Sequence, residues 1–128
     1  MFKTLIVEDG AIFRELLHET LHSRFPSMEI QEAKDGKEAF KTIEALVPDF
    51  IFIDIQLPGE NGLELAKKVK SIHPDMTVII LTNYDLPEYR EAASRCKVDH
   101  FIPKDSFMAM ANLLFPHQRP NQDGFRSK

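Results

Sequence analysis

The sequence predicts a doubly wound α/β domain, a parallel sheet with helices on both faces. Three observations carry that expectation. Short apolar runs alternate with amphipathic helical patterns along nearly the whole chain. Two of those runs, Phe50-Ile51-Phe52-Ile53 and Val78-Ile79-Ile80-Leu81, are continuously apolar, as strands covered on both faces are. The length of 128 residues, with 43% hydrophobic and 28% charged side chains, fits one globular domain with its own core.

Each element follows in order. Leu5-Ile6-Val7 reads as strand β1. A helix, α1, runs from about Ala11 to Arg24 with Phe13, Leu16, Leu17, Leu21 and Phe25 on its apolar stripe, and Pro26 closes it. Met28 to Ala33 alternates loosely and predicts β2, an edge strand with one wet face. Asp35 with Glu38 three residues on resembles a capping box and opens α2, which runs through Leu46. Its expected buried stripe is Ala39, Ile43, Leu46 and Val47. Phe50–Ile53 is β3.

The stretch Gln56-Leu57-Pro58-Gly59-Glu60-Asn61-Gly62 is dense in turn formers. Beyond it α3 runs to about His73 and buries Leu65, Ala66, Val69 and Ile72. Val78–Leu81 is β4, and Pro87 starts a short α4 through Arg95, where its missing N–H costs nothing. Phe101-Ile102 is a brief β5, with Pro103 fitting an edge position. A fifth helix, α5, spans about Ser106 to Phe115. The expected domain is therefore 1–115, and 116–128 is a polar tail, expected to be disordered. Right-handed crossovers and five strands favour the flavodoxin-like order 2-1-3-4-5, with the site where the order reverses between β1 and β3.

A net charge of −4 argues against electrostatic binding to nucleic acid or to an anionic membrane. Cys96 is the only cysteine, so no intramolecular disulfide is available. The N-terminus meets Glu8 and Asp9 before any signal-length apolar stretch develops, and no run approaches the roughly 20 apolar residues of a membrane span. The expected location is the cytoplasm.

The polar residues fall on this frame in a pattern. Glu8 and Asp9 follow β1, Asp54 ends β3, Thr82 ends β4 and Lys104 follows β5, all at the carboxyl edge where open α/β sheets bind ligands. Clustered carboxylates repel one another by about 4 kcal/mol per pair at 4 Å and an effective dielectric of 20. A hard divalent cation relieves that repulsion, and oxygen-only donors suit Mg²⁺. Lys104 and Thr82 predict an anion beside the metal. Phosphate would satisfy both: Asp54 would attack phosphorus, a bound metal would supply charge neutralisation between the carboxylates and the phosphoryl group, and Lys104 and Thr82 would meet the remaining phosphoryl oxygens.

The segments Leu5-Ile6-Val7-Glu8-Asp9, Phe52 to Gly62, Ile79-Ile80-Leu81-Thr82 and Phe101 to Ser106 resemble the receiver domain of bacterial two-component response regulators over about residues 1–115. The resemblance implies that Asp54 takes a phosphoryl group from a sensor histidine kinase or a histidine phosphotransfer protein, and that the domain signals rather than turns over substrate, while assisting its own phosphorylation and dephosphorylation. It implies Mg²⁺ or Mn²⁺ held by Asp9 directly, by Glu8 through water, by Asp54, and by the backbone carbonyl of Gln56. Thr82 and Phe101 resemble the switch pair, and the α4-β5-α5 face the signalling surface toward a downstream protein or output domain. Three positions depart from the family pattern. Phe101 stands for the commoner Tyr, Asn83 for a smaller residue, and Asp105 for a Pro after the lysine. The chain then reads either as a single-domain regulator or as the receiver portion of a longer one, with no DNA-binding domain in residues 116–128.

Rival readings remain. His18-Glu19-Thr20-Leu21-His22 matches the H-E-x-x-H zinc pattern, but its face is offset from the buried stripe and lacks a third ligand. A haloacid dehalogenase-type phosphohydrolase also uses an Asp nucleophile, but it needs a second Asp where this chain has Gln56. A receiver-like module that binds protein without phosphorylation is the other alternative. Met108, Met110, Leu113 and Leu114 read as core or interface, and exposure of some of them would point to a phosphorylation-dependent homodimer through α5. Lys67, Lys68 and Lys70 read as a solvated helix face, Cys96 as a small buried residue, and His100 as an inert edge position.

Overall fold

In the computed structural model, residues 2–107 are described. Five parallel strands form the main sheet: β1 (Lys3–Val7), β2 (Glu29–Ala33), β3 (Phe50–Asp54), β4 (Thr77–Thr82) and β5 (His100–Pro103), in the spatial order 2-1-3-4-5. The helices among the described residues are α1 (Ala11–Arg24), α2 (Gly36–Leu46), α3 (Gly62–Ile72) and α4 (Pro87–Arg95), followed by a 3₁₀ turn over Lys104–Ser106. This is the predicted flavodoxin-like topology, with β2 and β5 at the edges. A small antiparallel ribbon, Gln56–Leu57 against Glu60–Asn61, occupies the turn-rich loop after β3. The predicted α5 beyond Phe107, its methionines, and the 116–128 tail lie outside the described residues.

Alternation along the strands divides the core in two. Leu5, Val7, Ile51, Ile53, Val78 and Ile80 face α2, α3 and α4, and meet Ala39, Ile43, Leu65, Ala66, Val69 and Ala93. Ile6, Phe52, Ile79, Leu81 and Ile102 point the other way and meet Leu17 and Leu21 of α1, with Phe107. Each fully buried Leu or Ile contributes about 1.5–3 kcal/mol, so burial on the two faces together fastens the sheet between its helices.

The helix boundaries follow local chemistry. The Asp35 side chain accepts from Glu38 N at 2.9 Å, and Glu38 Oε1 accepts from Lys34 N at 2.9 Å, a capping box shifted back by one residue. Asn61 caps α3 by accepting from Leu63 N at 2.7 Å. Pro87 occupies the first turn of α4 as expected.

Three stripe assignments are corrected. Leu16 is 43% exposed because the buried ridge of α1 runs through Leu17, Thr20, Leu21 and Arg24, at i, i+3, i+4 and i+7. Val47 is 52% exposed because it is the C-cap of α2, in the left-handed region at φ 46°, and has already turned away from the sheet. Ile72 is exposed because it is the last residue of α3, beyond the buried stripe that ends at Val69. Leu63, absent from the expected stripe of α3, is buried.

Candidate functional site

Parallel pairing aligns Val7 with Ile53 and Asp54 with Leu81, so the ends of β1, β3 and β4 stand side by side. That register brings residues far apart in sequence to one edge. Asp54 is 5% exposed and Glu8 only 2%. Lys104 lies between them, its Nζ 2.8 Å from Glu8 Oε1 and 3.2 Å from Asp54 Oδ2. The other Asp54 oxygen, Oδ1, accepts from Gln56 N at 3.1 Å. The ammonium also sits 4.9 Å from the centre of the Phe13 ring, which closes the site on the α1 side.

Glu8 is the acid of this edge that burial disfavours. Its Oε2 accepts from Gly10 N at 2.9 Å, whereas Oε1 has the ammonium as an ion-pair neighbour but accepts no aligned hydrogen bond. Burial pushes its carboxyl above the ordinary glutamate range. The nearby Lys104 ammonium opposes that rise and the charge of Asp54 adds to it. One ammonium thus serves two buried carboxylates, leaving an excess negative charge at the sheet edge.

Two backbone features fix this edge. Gly62 N donates to Ile55 O at 2.6 Å, and a Cβ on Gly62 would overlap the Asp54 carbonyl oxygen, so only glycine lets α3 approach so closely. Arg14 Nη1 donates to the carbonyls of Glu8 at 2.8 Å and Asp9 at 3.3 Å, clamping the acidic loop from α1. The sequence reading did not single out Arg14. Its only sequence signal is an arginine one helical turn inside α1, five residues after the acidic pair.

Thr82 and Phe101, the two residues expected to act as a pair, make separate contacts. Thr82, 1% exposed, turns its hydroxyl to Tyr84: Oγ1 donates to Tyr84 O at 3.0 Å and accepts from Tyr84 N at 2.9 Å. It therefore does not reach toward Asp54. Phe101 is half-buried against the α2–α4 side of the core, and the Arg90 guanidinium lies 4.8 Å from its ring centre.

Of the three carboxylates expected at this edge, two lie together and the third stands apart. Among the described residues, no group of three or more His, Cys, Asp or Glu side chains converges on one point. Glu8 and Asp54 do come together, but Lys104 relieves their repulsion directly, while Asp9 is exposed on the loop beyond them. The donor chemistry still fits a hard divalent cation: all the candidate donors are oxygens, and Glu8 Oε1 is a buried oxygen without a hydrogen bond. His18 of the zinc-like pattern is held at 2.6 Å by Glu32, which also pairs with Arg14 at 3.2 Å, so its ring belongs to a surface network.

This architecture defines a class: a doubly wound α/β domain carrying a buried aspartate and an ammonium at its switch point. Residues 4–113 match the model of the response regulator receiver domain. The chain belongs to that family. It is 36% identical over 115 residues, 88% of the chain but 33% of the relative, to the protein-glutamate methylesterase/protein-glutamine glutaminase 2 of Vibrio vulnificus. Among solved structures it resembles the response regulator domain of CheB from Thermotoga maritima, with a TM-score of 0.78, 29% identity, and coverage of 91% of this chain and 92% of that one. It also shares its fold with the Mn²⁺-bound form of the response regulator Rcp1, with a TM-score of 0.78, 20% identity, and coverage of 95% and 98%. The chain spans from 31% to 54% of the length of the first curated relatives it matches. It is a receiver domain homologous to response regulators, and domains of this family generally bind a divalent metal. Among the described residues no helix is long and apolar enough to cross a membrane.

Proposed function

We propose that Asp54 is the phosphoacceptor of this receiver domain and that a phosphohistidine of a kinase or phosphotransfer protein is its donor. A carboxylate oxygen of Asp54 forms a bond to phosphorus as the P–N bond of the donor breaks, and the electron pair of that bond returns to the imidazole nitrogen. The observation that carries the reading is the placement of Asp54: 5% exposed at the switch point, with one oxygen on the Gln56 amide and the other 3.2 Å from Lys104.

Lys104 neutralises a phosphoryl oxygen, and Thr82 donates to another after leaving Tyr84. Asp9, Asp54 and the Gln56 backbone carbonyl would hold Mg²⁺ or Mn²⁺, with Glu8 acting through water. When bound, the cation supplies charge neutralisation between the carboxylates and the phosphoryl oxygens. Gln56 carries no acid or base at the position a phosphohydrolase needs, which favours a signal over turnover. The domain spans residues 1–115, works in the cytoplasm, binds no nucleic acid through this chain, and signals through its α4-β5-α5 face to a protein target.

Intact mass after incubation with Mg²⁺ and acetyl phosphate tests the reading. Wild type gains one phosphoryl group, and Asp54→Asn and metal-free samples gain none. A folded wild type that gains nothing across several donors overturns it in favour of a phosphorylation-independent binding module.

A further inference from the structure

Phe101 lacks the hydroxyl that a tyrosine would use to anchor itself at the surface, yet its ring is not left unrestrained. Arg90, on α4, lies with its guanidinium 4.8 Å from the ring centre. The guanidinium is fixed in turn by Asp85: Nη2 donates to Oδ2 at 3.0 Å and Nε donates to Oδ1, a bidentate fork. The pairing holds the Asp85 carboxyl below and the Arg90 guanidinium above their ordinary ranges, each mainly through their shared hydrogen bond. Asp85 follows directly on Tyr84, whose backbone N–H and C=O are both bonded to the Thr82 hydroxyl. An unbroken set of contacts therefore runs from Thr82 through the 84–86 loop to Asp85, Arg90 and the Phe101 ring.

We infer that Arg90 is a positioning residue of the switch, a latch that replaces the missing tyrosine hydroxyl by holding Phe101 under its guanidinium until Thr82 lets go of Tyr84. This deepens the phosphoacceptor reading and rests on it. For Thr82 to donate to a phosphoryl oxygen its single hydroxyl proton must leave Tyr84 O, and turning the side chain toward Asp54 also breaks the bond it accepts from Tyr84 N. The loop that carries Asp85 then loses its anchor, and the fork that aims Arg90 at the ring loosens. Lysine is no substitute, because an ammonium cannot make the bidentate fork that fixes the direction of the charge.

The test uses the full chain with its phenylalanine side chains ¹³C-labelled, and the Phe101 signals assigned from a Phe101→Leu sample. In the unphosphorylated protein, Arg90→Ala should raise the population of Phe101 rotamers away from the latched one by about two- to five-fold, the weight of one exposed cation–π contact. Arg90→Lys and Asp85→Asn should fall between Arg90→Ala and wild type. The rate of phosphoryl gain from acetyl phosphate with Mg²⁺ should rise by the same factor in Arg90→Ala. In a Phe101→Ala background, Arg90→Ala should add nothing. Unchanged Phe101 rotamers in Arg90→Ala, or an equal rate gain in the Phe101→Ala background, would overturn the latch. Because the rotamers are read without phosphate, a wild type that fails to take up phosphate counts against Asp54 alone.

Discussion

At the scale of single residues, Lys104 decides how the site is charged. Its side chain is 10% exposed and is the counter-ion for two carboxylates that are themselves buried. Removing one partner of a buried ion pair leaves an uncompensated charge, which typically costs about 3–5 kcal/mol. Lys104→Met should therefore unfold at distinctly lower urea, with a loss of roughly 3 kcal/mol. Glu8→Gln placed in the same background should restore part of it by removing the carboxylate that burial already disfavours. Urea midpoints of the four proteins decide the matter, and strict additivity of the two changes would sink the shared-counter-ion account. The sequence announced Glu8, Asp54 and Lys104 as neighbours, because each ends a strand at the same sheet edge. That the lysine would lie between the acids was not legible, since strand register places Cα atoms and leaves the reach of a flexible side chain open.

At the scale of elements, two predictions concern how pieces are fastened. Asp99 precedes β5, accepts from Val78 N at 2.8 Å and from Lys70 Nζ at 3.1 Å, and so ties β4, β5 and the end of α3 together. Burial raises its carboxyl, but the Val78 amide and the Lys70 bond outweigh that, and the net position is below the ordinary aspartate value. A native value below the unfolded one means that Asp99 contributes stability above about pH 3.9, which is lost as pH falls through its lower native value. Asp99→Asn should therefore be less stable at neutral pH and lose less on acidification than wild type. Parallel urea midpoints for the two proteins between pH 7 and pH 3 would refute the assignment. Val47 is the second case: a β-branched residue at φ 46° is strained, and its side chain is half in solvent. Val47→Asn suits the left-handed C-cap and should raise stability by roughly 1 kcal/mol, whereas a lowered thermal midpoint would mean that its side chain packs more than its exposure implies. Helix existence was legible from periodicity here, and α1 and α4 have the predicted bounds. Two of the three misassigned positions, Val47 and Ile72, lie at helix ends, where the apolar stripe continues in sequence after the helix has left the sheet. Leu16 lies mid-helix, one position off the buried ridge of α1.

At the scale of the whole molecule, topology does what sequence distance cannot. The order 2-1-3-4-5 was readable because two doubly apolar strands require cover on both faces, and right-handed crossovers leave few arrangements that provide it. The order makes β1 and β3 neighbours, so Asp9, in the loop after β1, and Asp54, at the end of β3, come to the same sheet edge although they are 45 positions apart. What it does not encode is the side-chain wiring of Arg14 and Arg90, each of which depends on a rotamer rather than a register. The same closeness makes the folded state, and not the unfolded chain, the form able to hold a divalent cation. Anything that binds only the native state stabilises it by RT ln(1 + [L]/Kd), about 2.7 kcal/mol at a hundred times Kd. For a domain of this size that is a rise in thermal midpoint on the order of 10 °C. Wild type should show such a rise when Mg²⁺ is added and lose it in EDTA. Asp9→Asn and Asp54→Asn should each show a much smaller one, while being no less stable than wild type without metal, because each removes a negative charge from a site that already has too many. The readout needs no phosphate and no partner. An equal Mg²⁺ response in the two variants would assign the effect to general screening of the acidic surface and would take the cation away from the β1–β3 edge.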